Sequence, residues 1–261
     1  MNIDLTGKRA IVCGSTQGIG RACALELASM GASITLIARN EEKLKEVLAS
    51  LPIDDTETHN YLVADFNLPD QLRAVLTPFL AGHTVDILVN NAGGPPPGLA
   101  IEAAPDEFIQ AFRSHLVCNQ ILAQAVVPGM KASGWGRIIS IISVSVKTPL
   151  KGLGVSNTIR GAVANWSKTL STELGPYGIT VNNVLPSMAM TARIESLINS
   201  RAKEQGKSTK EIEAEMISEI PAGRIGTVED VAAAVAFLAS PSAGYINGIN
   251  IPVDGGRTPS L

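Results

Sequence analysis

The run Gly14-Ser15-Thr16-Gln17-Gly18-Ile19-Gly20 lies between an apolar segment, Ala10-Ile11-Val12-Cys13, and a helix-patterned one, Arg21-Ala22-Cys23-Ala24-Leu25-Glu26-Leu27-Ala28. A buried strand that turns through glycines into a helix leaves unpaired backbone N–H groups and the positive end of the helix dipole facing outward, which suits a pyrophosphate. Glycine is needed where a Cβ would block the turn, the approach of a phosphate, or the packing of helix on strand. The spacing is G-x-x-x-G-x-G rather than the commoner G-x-G-x-x-G. Glycine turns also join strands to helices for packing alone, so the loop by itself leaves ligand binding open.

The alternation it begins continues along the chain. Lys8 to Cys13 reads as the first strand and Gly18 to Met30 as the first helix, ended by Gly31 as a C-terminal cap. Ser33 to Ala38 is a continuous apolar strand, after which Asn40 can cap a helix whose N-terminus carries Glu41 and Glu42. Further strands are expected at His59 to Ala64, Val85 to Val89, Arg137 to Ile142, Ile179 to Leu185 and Gly248 to Val253. Helices are expected at Asp70 to Leu80, from about Pro105 to Lys131, at Val155 to Leu174, and at Val228 to Ala239 with Thr227 as its cap. Alternation over all 261 residues, with no linker, repeat or low-complexity segment, predicts a single α/β domain over 1–261, a doubly wound parallel sheet of Rossmann form. The excursion from Met188 to Pro221 breaks the rhythm: Thr191 to Arg201 and Ser208 to Ile220 are charged and helical in pattern, with Gln205-Gly206-Lys207 between them. Insertions of this length after a strand's carboxyl end serve as lids or substrate loops; the alternative is a solvated helical hairpin with no role.

Several function classes are excluded. A formal net charge of −3, without a like-charge block, provides no basic field, so no nucleic-acid partner is expected. Cys13, Cys23 and Cys118 are odd in number, sit in apolar surroundings and lack metal-ligand spacing; they read as small core residues in a reducing compartment, with neither a disulfide nor a metal site. The first residues show no basic-then-apolar leader and runs such as Val231 to Ala239 are too short to span a bilayer, so no membrane association and a cytoplasmic location are expected.

Five segments together resemble the short-chain dehydrogenase/reductase family over essentially the whole chain. They are the glycine loop, Asn90-Asn91-Ala92-Gly93, Gly136-Arg137-Ile138-Ile139 with Ser143, Gly178-Ile179-Thr180-Val181-Asn182, and Pro252-Val253-Asp254-Gly255-Gly256. Within that family the chain is most similar to the 3-oxoacyl-[acyl-carrier-protein] reductase-like group. The resemblance implies an oxidoreductase acting on a small carbonyl or alcohol substrate. Its nicotinamide cofactor would be held by Gly14, Ser15, Thr16, Gln17, Gly18, Ile19 and Gly20, with Asp65 and Phe66 against the adenine. Asn91, Ala92 and Gly93 would run along the ribose and strand edge, and Pro186 and Thr191 near the nicotinamide. All fall at carboxyl ends of expected strands, where open α/β sheets bind ligands. Asp65 as a strand-end turn carboxylate and Asn91 as a turn former are the plainer alternatives. The resemblance also implies a homotetramer or homodimer, in which the Pro105 to Lys131 and Val155 to Leu174 helices pair across a two-fold axis through apolar surface that includes Ala162-Val163-Ala164 and Trp166.

Arg39 addresses the cofactor variant. The end of the second strand faces the adenosine ribose, where a carboxylate would bind both hydroxyls and repel a 2′-phosphate. Here Ala38-Arg39 stands instead, with no acidic residue before Glu41, so NADP(H) is favoured over NAD(H); the alternative is a solvated arginine beside a helix.

The catalytic positions depart from the family pattern of a serine, a tyrosine thirteen residues later, a lysine four beyond that, and an asparagine on the preceding long helix. In this register Ser143 keeps the serine, while Ser156, Arg160 and His115 occupy the other three places. Serine is far less acidic than tyrosine, and a guanidinium binds without giving up a proton. His115 has an intrinsic pKa suited to proton transfer, or is a satisfied core residue. Two outcomes stay open: a reductase using another donor, either His115 or a water held by Ser143 and Ser156, or a catalytically impaired nucleotide-binding sensor or scaffold. Met188 and Met190 suggest an apolar, adaptable substrate lining, and no charged anchor for a carboxylate or phosphoryl substrate is evident.

Overall fold

Apolar runs too continuous to alternate become strands buried on both faces. They are β1 (Arg9–Cys13), β2 (Ser33–Ala38), β3 (Asn60–Val63), β4 (Ile87–Asn90), β5 (Gly136–Ile141), β6 (Ile179–Pro186) and β7 (Asn250–Val253). The structure, a computed structural model, describes residues 1–53 and 58–260. In it the strands form one sheet, with every neighbour parallel, in the order β3-β2-β1-β4-β5-β6-β7. The order reverses between β1 and β4, which opens a crevice at their carboxyl ends.

The helices are α1 (Gly18–Ser29), α2 (Glu41–Ser50), α3 (Pro69–Leu80), α4 (Pro105–Phe112), α5 (Cys118–Ser133), α6 (Gly154–Leu174), α7 (Ala192–Gln205), α8 (Thr209–Ser218) and α9 (Val228–Ala239). The two-residue period of β1 divides the core between two layers. Ala10 and Val12 pack with Leu27 of α1 and Val235 of α9 on one face; Ile11 and Cys13 pack with Leu72 of α3 and Leu122 of α5 on the other. Local capping fixes several boundaries: Asn40 accepts from the Lys43 N–H at 3.0 Å, and Thr227 accepts from the Asp230 N–H at 3.2 Å.

Two departures from the sequence expectation have local causes. The strand expected from Gly248 starts at Asn250, because Gly248 has φ of +72° and cannot continue an extended run. The helix expected from Pro105 to Lys131 is interrupted at Arg113–Val117 by a π-helical turn, which carries His115. Such wide turns insert one residue into the helical repeat and often mark functional positions. The 188–221 excursion is a helical hairpin with its own small core: Ile198 and Ala202 of α7 pack with Ile212 and Met216 of α8 and with Met188 and Met190. It is therefore packed on one side rather than solvated throughout.

Cys13, Cys23 and Cys118 are free and buried. Burial raises all three thiols, Cys118 to about 12, so none is a thiolate at neutral pH. Among the described residues no cluster of three His, Cys, Asp or Glu side chains could hold a metal, and no helix is long and apolar enough to cross a membrane.

Candidate active site

The glycine loop is close-packed. Gly14 and Gly18 have φ of +59° and +55°, a region L side chains rarely adopt. A Cβ on Gly14 would stand 2.7 Å from Asn91 Nδ2, and one on Gly20 would overlap the Gly14 carbonyl and stand 2.7 Å from the same amide. Asn91 Nδ2 itself donates to the Cys13 and Gly14 carbonyls at 3.3 and 3.4 Å, tying the end of β4 to the turn after β1. The unusual glycine spacing therefore follows from packing as well as from ligand approach. At the N-terminus of α1, Gln17 provides no side-chain cap and the first turn holds no carboxylate, so its N–H groups and dipole stay available to an anion. Ser15, fully buried, has an Oγ without a partner. Thr191 caps α7 and lies against the loop, its Cγ2 3.4 Å from where a Gly18 Cβ would be. These groups fit a dinucleotide pyrophosphate.

On the adenosine side, Arg39 is exposed, and among the described residues it pairs with no carboxylate. The nearest acid in sequence, Glu41, is engaged elsewhere: it accepts from Tyr61 Oη at 3.0 Å and pairs with Lys45 at 3.3 Å. Asp65 Oδ1 accepts from the Asn67 N–H at 2.9 Å, a turn bond that leaves its second oxygen free. Phe66 is half-buried beside it, and its carbonyl accepts from Cys118 Sγ at 3.3 Å. Ala92 is half-buried, a Cβ on Gly93 would meet nothing within 4 Å, and Pro186 ends β6 buried beside Val253.

The expected catalytic positions lie past β5. Ser143 is half-buried and its Oγ accepts from the Ser145 N–H at 3.1 Å, so its hydroxyl proton is still free to be donated. Ser156 and Arg160 are both buried and lie one turn apart on the same face of α6. Arg160 Nη1 donates to the Ile141 carbonyl at 3.0 Å. Burial first, and the nearby Arg193 second, pull its pKa down to about 10, which leaves it charged at neutral pH.

His115 is 3% exposed, and its pKa falls to about 3, through burial first and then the Arg160 charge; a hydrogen bond to the Gly93 backbone works the other way. The ring is thus neutral throughout the physiological range, with Nε2 unpartnered, and its intrinsic suitability as an imidazolium acid is lost. The tyrosines stand elsewhere: Tyr61 on Glu41, Tyr177 before β6 beneath Lys131, and Tyr245 fully exposed. The site also contains a residue that sequence reasoning passed over. Arg193, two places after Thr191, reaches back to the loop after β4 and donates to the Pro95 carbonyl at 3.0 Å.

A pH prediction follows from His115. The unfolded imidazole takes a proton near pH 6.5 that the folded one refuses until about pH 3. The stability contributed by the neutral ring is therefore present above pH 6.5 and lost as pH falls toward 3, at up to about 1.4 kcal/mol per pH unit. Urea unfolding of His115→Asn between pH 7 and 4 should fall less steeply than wild type by about one proton's worth; equal slopes would show that the ring is not buried neutral.

A parallel sheet with a glycine cradle at its switch point, an open helix N-terminus and a hydroxyl-guanidinium end defines a dinucleotide-binding oxidoreductase. More specifically, the chain belongs to the short-chain dehydrogenase/reductase family. A family model described as enoyl-(acyl carrier protein) reductase matches residues 14–258. The chain is 35% identical to 3-oxoacyl-[acyl-carrier-protein] reductase of Haemophilus influenzae over 253 residues, 97% of this chain and 98% of that one. Its structure is similar to that of L-sorbose reductase from Gluconobacter frateurii complexed with NADPH and L-sorbose, with TM-score 0.93, 32% identity and full coverage of both chains. It is also similar to gluconate 5-dehydrogenase from Burkholderia cenocepacia J2315 in complex with NADP and tartrate, with TM-score 0.88 and 32% identity over 100% and 98% of the two chains.

Proposed function

We propose that this protein transfers hydride between NADP(H) and a carbonyl or alcohol substrate, with 3-oxoacyl thioesters among the compounds to test. The observation that carries the reading is the uncapped, glycine-cradled N-terminus of α1, with Arg39 unpaired at the end of β2. Two of the proteins named above, described with NADPH and with NADP, support the same cofactor. When bound, the nicotinamide supplies the hydride to the carbonyl carbon. Ser143 donates a hydrogen bond to the carbonyl oxygen, and Arg160 orients the cofactor ribose and adds positive potential where negative charge develops. The proton that completes the alcohol comes from a water held by Ser143 and Ser156, since His115 is neutral and its ring is engaged with Gly93. The 188–221 hairpin acts as a substrate lid: its base is clamped by backbone bonds between Met188, Met190 and Gly226, and Arg193 bridges from its first turn to Pro95.

The test is cofactor preference. Arg39→Ala should weaken NADPH binding about 10- to 100-fold and leave NADH nearly unchanged, read by fluorescence titration. A preference that survives the substitution would refute the role of Arg39.

A second reading, a nucleotide-binding sensor or scaffold, is favoured by the lack of any tyrosine at the catalytic end. Either way a homotetramer or homodimer is part of the proposal. The apolar surface expected on α6 is not free, since Val163 and Ala164 are buried in the subunit's own core with Ile142 and Leu185. Instead, on α4, Ile109 and Phe112 are 48% and 42% exposed, with Leu99 and Ile101 uncovered in the preceding loop. A single 27.3 kDa species in sedimentation at micromolar protein would contradict it.

A further inference from the structure

Between the hairpin and the carboxyl end of the sheet lies more positive charge than a cofactor ribose needs, because Arg193 joins Arg160 there. Arg193 extends from the first turn of α7, with Nη2 on the Pro95 carbonyl and Nη1 in contact with the place where a Gly94 Cβ would stand. Arg160 reaches the same glycine from α6, its Nη2 3.4 Å from that point. Two guanidiniums thus converge over Gly94. Each is held by a backbone carbonyl, Ile141 for Arg160 and Pro95 for Arg193, and among the described residues neither pairs with a carboxylate. A guanidinium has five donors, so most are unspent. His115 is near enough to both for each charge to oppose its protonation, and its buried Nε2 has no partner. Like charges brought together without a counter-ion are destabilising unless an anion from outside completes the set.

The chemistry of the loop narrows that anion. Phosphate sites recruit backbone N–H groups from glycine loops and helix termini. Here the adjoining segment is Pro95-Pro96-Pro97, which has no N–H to donate, so the charged donors at the site are the two planar forks. A planar fork matches a planar carboxylate.

We infer that Arg193, together with Arg160, anchors a carboxylate of the substrate, so that the protein takes a small keto or hydroxy carboxylate. The acid group lies at the Gly94–Pro95 edge and the carbonyl faces Ser143. This rests on the oxidoreductase reading, and Arg193 is its specificity-determining residue.

The experiment uses the NADPH complex, matched pairs of 2- and 3-keto acids and their methyl esters, and malonate as a carboxylate probe that cannot be reduced. Acids should be preferred over esters at least tenfold in kcat/KM. Arg193→Gln should raise the KM of the acids about 10- to 100-fold with a much smaller change in kcat, collapse the preference for acid over ester, and leave the NADPH Kd unchanged. Malonate should bind the NADPH complex in calorimetry and lose affinity by the same factor in the variant. Because Arg193 is exposed, the variant should fold, and its melting temperature checks this. Esters reduced as well as acids would overturn the anchor, as would an Arg193→Gln protein that loses NADPH affinity while malonate is unaffected. If no compound is reduced but malonate binding still depends on Arg193, the anchor stands and the enzyme reading falls. If ketones are reduced and malonate does not bind, the anchor falls alone.

Discussion

A chain carrying Ser156→Tyr together with Arg160→Lys should oxidise NADPH with ketones about 10²- to 10⁴-fold faster than the natural protein. A positioned proton donor contributes that range, roughly 3 to 5 kcal/mol of barrier. The two positions lie one turn apart on the buried face of α6, and Arg160 is held on the last carbonyl of β5, two residues before Ser143. A phenol at 156 would be lowered in pKa by the ammonium at 160 and would share the carbonyl oxygen with Ser143. Ser156 is 8% exposed, so the larger ring brings a packing cost of about 1–3 kcal/mol, which a thermal melt would register separately from the rate. The assay is NADPH oxidation over ketones, 3-oxoacyl thioesters and quinones. Activity created from nothing would identify the natural protein as a nucleotide binder. A natural protein that already turns over would dispose of the sensor or scaffold reading, and slowing by the double replacement would show that the natural residues at 156 and 160 take part in the reaction.

Gly20→Ala should abolish cofactor binding, with NADPH affinity falling at least about 100-fold and folding stability by about 1–3 kcal/mol. The added Cβ would overlap the Gly14 carbonyl and stand 2.7 Å from Asn91 Nδ2, and both neighbours are fixed. Gly14 is in the positive-φ turn, and the Asn91 amide is tied to two carbonyls of the β1 end. The turn must open, and with it the aim of the α1 N–H groups. Gly82→Ala is the matched control, since a Cβ there meets nothing within 4 Å. Fluorescence titration with a parallel melt separates loss of binding from loss of fold. Undiminished NADPH affinity in Gly20→Ala would mean that the glycine loop is a packing device and the cofactor lies elsewhere.

The frame of this protein was legible in the chain because its signals are local. Continuous apolar runs define strands buried on both faces, and Asn40 and Thr227 cap helices with bonds that span three residues. The glycine loop and Arg39 could be proposed for the cofactor because the strand ends of a parallel sheet face one crevice. Properties made by contact between distant segments could not be read. The π-helical turn at Arg113–Val117, which carries His115, has no composition of its own. His115 looks like a proton donor in sequence. Only burial, and two arginines from other helices, lower its pKa to about 3. No charged anchor was visible in the chain because Arg160 and Arg193 lie on different elements, each unremarkable by itself. The sequence by itself determined the succession of strands and helices and the glycine cradle, since backbone hydrogen bonding and apolar periodicity act over a few residues. Tertiary structure alone decided the protonation state of His115 and the pairing of two guanidiniums over Gly94, because desolvation and Coulomb energy depend on distance in space.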